Sequence, residues 1–205
     1  MATIERSADL TVIGANGGAW CTDLGAAVPT RPTTLTAALP AGLYAMGAIS
    51  DDGLTYAFDE DNEQFQAWGQ LAPFRTEITR STRTFQLTLW ETNRPIVKSV
   101  MYRLPVADVT ADETERTYAF AETSAPTPDR RTWLIDVIDG ASLERFFVPH
   151  GEVTDRDDVT FRNDEMSGFN ITITAYPDVD NVTVYHLGQV GVLPTGLDPT
   201  PPPTP

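Results

Sequence analysis

The chain has 205 residues, 41% hydrophobic and 21% charged, which suits a globular protein of one domain with appendages or two small ones. With 14 Lys and Arg against 29 Asp and Glu, the formal net charge is −15, which disfavours binding to nucleic acid or to an anionic membrane. The one cysteine, Cys21, leaves no intrachain disulfide and fits a free thiol made in a reducing cytosol.

The start, MATIERSADL, carries charges where a signal peptide needs an apolar run. No stretch approaches the ~18 continuous apolar residues of a membrane helix. A soluble chain made in the cytoplasm, with no membrane insertion, is expected. Residues 3–13 read as a first strand ending in LTVI. Residues 14–47 then break every period; they are rich in Gly, Ala, Pro and Thr and nearly uncharged. Such a segment is either a flexible loop or an arm that orders on a partner. Its apolar residues Trp20, Leu24, Leu35, Leu39 and Leu43 favour the arm.

From Ala48 the pattern is β-like. AISDDGLTYAF predicts strand, turn at Asp51-Asp52-Gly53, and strand. DEDNEQ, residues 59–64, is an acidic run on a solvated edge or loop. FQAWGQLAPFRTEITR alternates further, with Phe74, Thr76 and Ile78 opposing Arg75, Glu77 and Thr79. TRTFQLTLWETN alternates cleanly: Phe85, Leu87 and Leu89 form a core face. Thr84, Gln86 and Thr88 form a polar face without charge.

In TNRPIVKSVMYRL the period changes. Ile96, Val97, Val100, Met101 and Leu104 predict an amphipathic helix, capped by Thr92 or Asn93, with Pro95 in its first turn and its end at Pro105. An acidic connection and a short strand, TYAFAE, follow. RTWLIDVIDG is apolar on both faces and reads as a strand covered on both sides or lying in an interface. ERFFVPHGEVT is a strand broken at Pro149. GFNITITAYPD repeats the neutral pattern, with Asn170, Thr172, Thr174 and Tyr176 outward. VTVYHL is a last strand, and residues 191–205 form an extended Pro-rich tail. The division expected is one domain over 1–190, including the 14–47 segment, plus the tail. The fold class is mainly β, an antiparallel sandwich or barrel-like fold with one flanking helix.

Catalytic and metal patterns are weak. His150 and His186 have no companion at ligand spacing, and Cys21 has no nucleophile signature. GANGG does not fit a phosphate-binding loop. Read as a calcium loop, DEDNEQ offers Asp59, Asp61 and Glu63. It has Gln64 where glycine is needed and Gln70 where glutamate is needed. No cofactor is expected. The sequons at Asn170 and Asn181 are chance matches without a signal peptide, and the PxxP spacings of the tail read as a linker.

The ordered set SDDGLT, FQAW, TFQLTLWETN leading into the helix, and RFFVPHGEVT to ITAYPD resembles the major tail tube proteins of long-tailed phages of actinobacteria, over residues 45–180. The resemblance implies a β-sandwich subunit, six of which join sheets into a ring. Rings stack into the tail tube through which DNA is ejected. It further implies self-assembly in the host cytoplasm into the virion tail, with tape-measure, tail-tip and tail-terminator proteins as partners and DNA passing without specific binding. No enzymatic activity is implied. The candidate lumen residues are Thr84, Gln86, Thr88, Asp136, Asn170, Thr172 and Thr174. The candidate inter-ring contacts are Trp20, Leu24, Leu35, Leu39, Leu43, Asp59, Glu60 and Asp61. The alternative is a carbohydrate-binding or adhesin-like sandwich, with Trp68, Trp90 or Trp133 stacking on sugars.

Overall fold

A computed structural model describes residues 11–112, 117–164 and 166–189. Within it the strands are β1 (Asn16–Thr22), β2 (Leu43–Ala45), β3 (Ile49–Gln66), β4 (Pro73–Leu89), β5 (Thr110–Asp112), β6 (Thr117–Ala119), β7 (Arg130–Asp139), β8 (Ser142–Arg156), β9 (Phe169–Tyr176) and β10 (Tyr185–Gln189). One α-helix, α1 (Pro95–Tyr102), joins β4 to the small β5–β6 hairpin through a 3-10 turn at Val106–Asp108. The main sheet runs β2-β1-β7-β8-β9-β4-β3, antiparallel at every pairing. The architecture is thus mainly antiparallel β and sandwich-like.

The curvature comes from β8. Its first half, Leu143 to Phe147, pairs with β10, and its second half, from His150, pairs with β9. The sheet therefore parts along β8 and folds over, so that Phe85 of β4 meets Phe146 of β8 edge-on at 5.4 Å. Tyr56 of β3 stacks on Phe85 at 4.4 Å and reaches His186 of β10 at 5.8 Å. Pro149 does not break β8. A bulge absorbs it: Thr132 alone on β7 opposes Pro149 and His150, and the Thr132 hydroxyl donates to the Pro149 carbonyl at 2.9 Å.

Phe85, Leu87 and Leu89 are buried as the alternation requires, with Trp133, Ile135, Ile171 and Ile173 beside them. Ile96, Val97 and Val100 press α1 onto this face. The helix is not capped by Thr92 or Asn93. Its N-cap is Arg94, in extended conformation and without a side-chain bond. Pro95 at N1 sets the first turn instead. It also stops at Tyr102, two residues short of Leu104, because Arg103 turns left-handed (φ 57°). Its last carbonyls are taken by arginines from the sheet: Arg156 donates to those of Val100 (3.1 Å) and Met101 (2.9 Å). Arg131 donates to those of Ser99 (3.2 Å) and Leu104 (2.9 Å).

The segment 14–47 is not a single arm. Asn16–Thr22 is an inner strand, held between β2 and β7, and Leu43–Ala45 is its edge partner. The glycines of GANGG, which hide this strand in the sequence, permit close approach: a Cβ at Gly18 would lie 2.7 Å from the Trp20 ring, and one at Gly17 would lie 2.8 Å from the Asp136 carbonyl. Residues 23–42 remain irregular, and Arg31 among them sits 4.1 Å over the ring of Tyr185, the β10 residue opposite Phe147. The doubly apolar β7 is buried on both faces: Leu134 and Phe147 are fully buried on the face away from Trp133 and Ile135. The 3–13 strand falls partly outside the described residues, and 11–13 are not strand; the Pro-rich tail lies wholly outside them.

Cys21 is fully buried and its thiol donates to Met46 Sδ at 3.4 Å. Burial pushes its pKa up to about 12. At pH 8 the thiolate fraction is on the order of 10⁻⁴. Maleimide should label native protein only at the rate of global unfolding; labelling within minutes in native buffer would contradict this environment.

Candidate functional site: a neutral sheet face and a projecting hairpin

Opposed residues of an antiparallel pair share a face. The β4–β9 register sets Thr84 against Thr174, Gln86 against Thr172 and Thr88 against Asn170. Two segments read separately in the sequence are thus one surface, opposite the buried Phe85, Leu87 and Leu89. Gln86 Nε2 donates to Asn170 Oδ1 at 3.4 Å, and the Thr154 and Thr174 hydroxyls bond at 2.7 Å. The surface extends to Thr55 and Ala57 of β3, opposite Gln86 and Thr84. Sequence reading missed Thr55, Ala57 and Thr154, because the strand order was needed to add them. Charge borders the threonines on the β8 side: Glu152 lies opposite Thr174 and Asp155 opposite Thr172, and Arg130 sits 3.6 Å from Glu152 and 4.5 Å over the Tyr176 ring.

Asp136 does not belong to this surface. It is 5% exposed and bound bidentate by Arg145, with both bonds at 2.7 Å. An acid buried on a strand face needs a paired cation to stay charged, and the pairing with Arg145 was not legible in the sequence.

The second feature is a hairpin. The Asp51–Gly53 turn is a bulge within one 18-residue strand, with Gly53 at φ 72°. The 59–64 run is therefore strand, and β3 pairs with β4 out to a turn at residues 67–72. Beyond Phe58 nearly every residue of both strands is exposed up to Ser81, so this part projects from the body. Cross-strand ion pairs hold it: Arg80 to Asp59 (2.5 Å) and Asp61 (2.9 Å), and Arg83 to Glu60 (2.8 Å). The bonds from Arg83 and Ser81 hold the Glu60 carboxyl below its ordinary range. A carboxyl so lowered favours the folded hairpin above its unfolded pKa, and the contribution is lost as pH falls through the folded value. A carboxyl NMR titration should put Glu60 below 4.5, and Arg83→Gln should return it to the ordinary range. An unshifted Glu60 would contradict the pairing.

At the turn, Trp68 is 106% exposed, Leu71 97% and Phe74 75%. By register, Phe58 and Ile78 continue the core face of Tyr56 and Phe85 outward without a covering layer. Of the tip, the sequence reading named only Trp68, as a sugar-stacking candidate in the alternative; a run of apolar residues around a Gly turn was the wider signal.

Of the remaining candidates, Trp20, Leu24, Leu35 and Leu43 are half-buried within the subunit, and Leu39 is 41% exposed. Trp133 is fully buried, which removes it as a sugar platform. Among the described residues no three His, Cys, Asp or Glu side chains converge as metal ligands, and no helix is long and apolar enough to cross a membrane.

Among solved structures, one similar chain comes from the cryo-EM structure of the anti-feeding prophage baseplate, 6-fold symmetrised. It is 10% identical, with a TM-score of 0.43, covering 91% of this chain and 97% of that one. No curated protein matches. The family model for phage tail tube proteins matches residues 5–189. A neutral sheet face, a hairpin that projects beyond its own core and a match over nearly the whole chain lead to one conclusion: this chain belongs to the phage tail tube protein family.

Proposed function

We propose that the chain is the repeating subunit of the tail tube of a long-tailed phage of actinobacteria. Six copies close a ring, and rings stack into the conduit for DNA ejection. Its membership in a structural tail family supports this, as does the ordered set of segments from SDDGLT to ITAYPD. In this reading the Thr84, Gln86, Thr88, Asn170, Thr172 and Thr174 face lines the lumen. The observation that carries the assignment is the absence of Lys and Arg from those six opposed positions. DNA binding proceeds by neutralising phosphates with cations and releasing counterions. A wall of hydroxyls and amides, whose bordering cation Arg130 stands against Glu152, gives a passing polyanion little to neutralise. The tape-measure protein occupies the lumen during assembly in the host cytoplasm, and tail-tip and terminator proteins close the ends.

Ring closure also has a physical motive. Among the described residues both β2 and β3 end the sheet order with an unpaired strand edge. Lateral pairing between copies would cover such edges.

Electron microscopy of the concentrated protein, or of tails from its source, tests the reading. Hollow stacked rings are expected, and in them a cysteine placed at Thr172 should be shielded from bulky maleimides applied outside. A protein that stays monomeric under every assembly condition and is absent from tails would end the proposal. Separately, Gln86→Lys with Thr172→Lys should leave stability within ~0.5 kcal/mol but make tubes retain duplex DNA at low salt. Equal retention by wild-type tubes would remove the lumen assignment.

A further inference from the structure

We infer that the cleft where β3 begins, β4 ends and the chain enters β9 is a binding site for a short aliphatic polyamine. The inference goes beyond the tube reading and does not depend on it. The cleft has a volume of about 420 Å³. Asp51, Asp52 and Asp158 stand around it, and Trp90 and Met166 give it apolar walls. The three aspartates are exposed and, among the described residues, no ion pair reaches any of them. They differ in this from Asp59, Glu60 and Asp61 further along β3, which Arg80 and Arg83 hold.

A second observation comes from Ser50, which also lines the cleft. It is 7% exposed, and its Oγ has no hydrogen-bond partner. A buried hydroxyl left unpaired carries an uncompensated desolvation cost. Ser50, Asp51 and Asp52 are shared with an adjoining cleft of about 600 Å³, so a guest at this junction meets the hydroxyl and two carboxylates together. What they lack is a donor with positive charge. One metal ion does not fit, because among the described residues no three such side chains converge as its ligands. Carboxylates spread around a rim match charges spread along a chain. A protonated triamine carries ammonium groups at three- and four-carbon spacing. Each can donate to a carboxylate or to Ser50 Oγ, while the methylenes lie against Trp90 and Met166. The net charge of −15 concentrates such cations near the surface. Once bound, the guest bridges Asp51 and Asp52 on β3 to Asp158 on the β8–β9 connection, and so stabilises the fold by linkage.

Calorimetric titration of the full-length protein with spermidine at low ionic strength tests the site. One saturable site is expected, with a matching rise in melting temperature. Asp51→Asn and Asp158→Asn should each weaken it about three- to fivefold, and Ser50→Ala about threefold. Without spermidine, Ser50→Ala should melt no lower than wild type, since it deletes a hydroxyl that bonds nothing. Its loss of affinity is then not a loss of fold. Glu63→Gln removes the same charge from the projecting hairpin and should leave the affinity unchanged. Amide NMR shifts should concentrate at Asp51, Asp52, Asp158 and Gly168. Absence of saturable binding overturns the inference. So does equal weakening by Glu63→Gln and Asp158→Asn, which marks a diffuse counterion atmosphere, and so does magnesium that reproduces the shifts and the melting rise at equal charge concentration.

Discussion

Arg131→Ala is expected to lower the unfolding free energy by ~3–5 kcal/mol, read as a fall in denaturant midpoint at unchanged slope. The Arg131 and Asp129 side chains are each 1% exposed, and the guanidinium grips the carboxylate at 2.6 and 3.0 Å. Its other bonds go to the carbonyls of Ser99, of Leu104 just beyond α1, and of Thr22 on β1. Truncation leaves the Asp129 carboxylate unpaired in the interior and removes these three bonds between the sheet and the end of the helix in one step. The pair need not be net stabilising against an apolar replacement. The double variant Asp129→Leu with Arg131→Met should therefore recover part of the loss, short of the donors the helix carbonyls still lack. A cost below ~1 kcal/mol for Arg131→Ala would put this pair in the class of exposed ion pairs and contradict its role as the pin between helix and sheet.

Phe85→Ala is the second large effect, at ~3–5 kcal/mol in the same denaturant measurement. Phe85 is fully buried and stands where the folded-over sheet meets itself, stacked on Tyr56 and edge-on to Phe146. Its removal opens a cavity between two strands, β4 and β8, that are not hydrogen-bonded neighbours and have only side chains to join them. Phe85→Leu should cost markedly less, because it keeps most of the volume. A similar cost for both would point to the ring–ring geometry rather than to cavity formation.

What the sequence disclosed follows the strength of its local patterns. Phe85, Leu87 and Leu89, the α1 register and the neutral β9 strand were legible because period and burial coincide there. The inner strand β1 was not. Gly17 and Gly18 read as loop, yet they are small because β7 and the Trp20 ring lie against them. Nor could the sequence reveal that Asp59, Glu60 and Asp61 face Arg80 and Arg83 across a hairpin, since those partners stand about 20 residues on. The same long-range pairing hid the buried bond between Asp136 and Arg145. For the neutral sheet face, composition flagged the threonines and asparagine as unusual, and register alone merged them into one surface.

The split character of β4 has a mechanical consequence. From Arg83 to Leu89 it is bonded on both sides, by β3 and by β9; from Pro73 to Thr82 β3 is its only neighbour among the described residues. Ladder bonds run perpendicular to the strands. A force applied along the strand direction at the tip therefore loads the bonds of the doubly held root in shear, all together. A sideways force instead meets a two-stranded ribbon that can bend. The hairpin is thus stiff under tension along its strands and compliant in flexure across them.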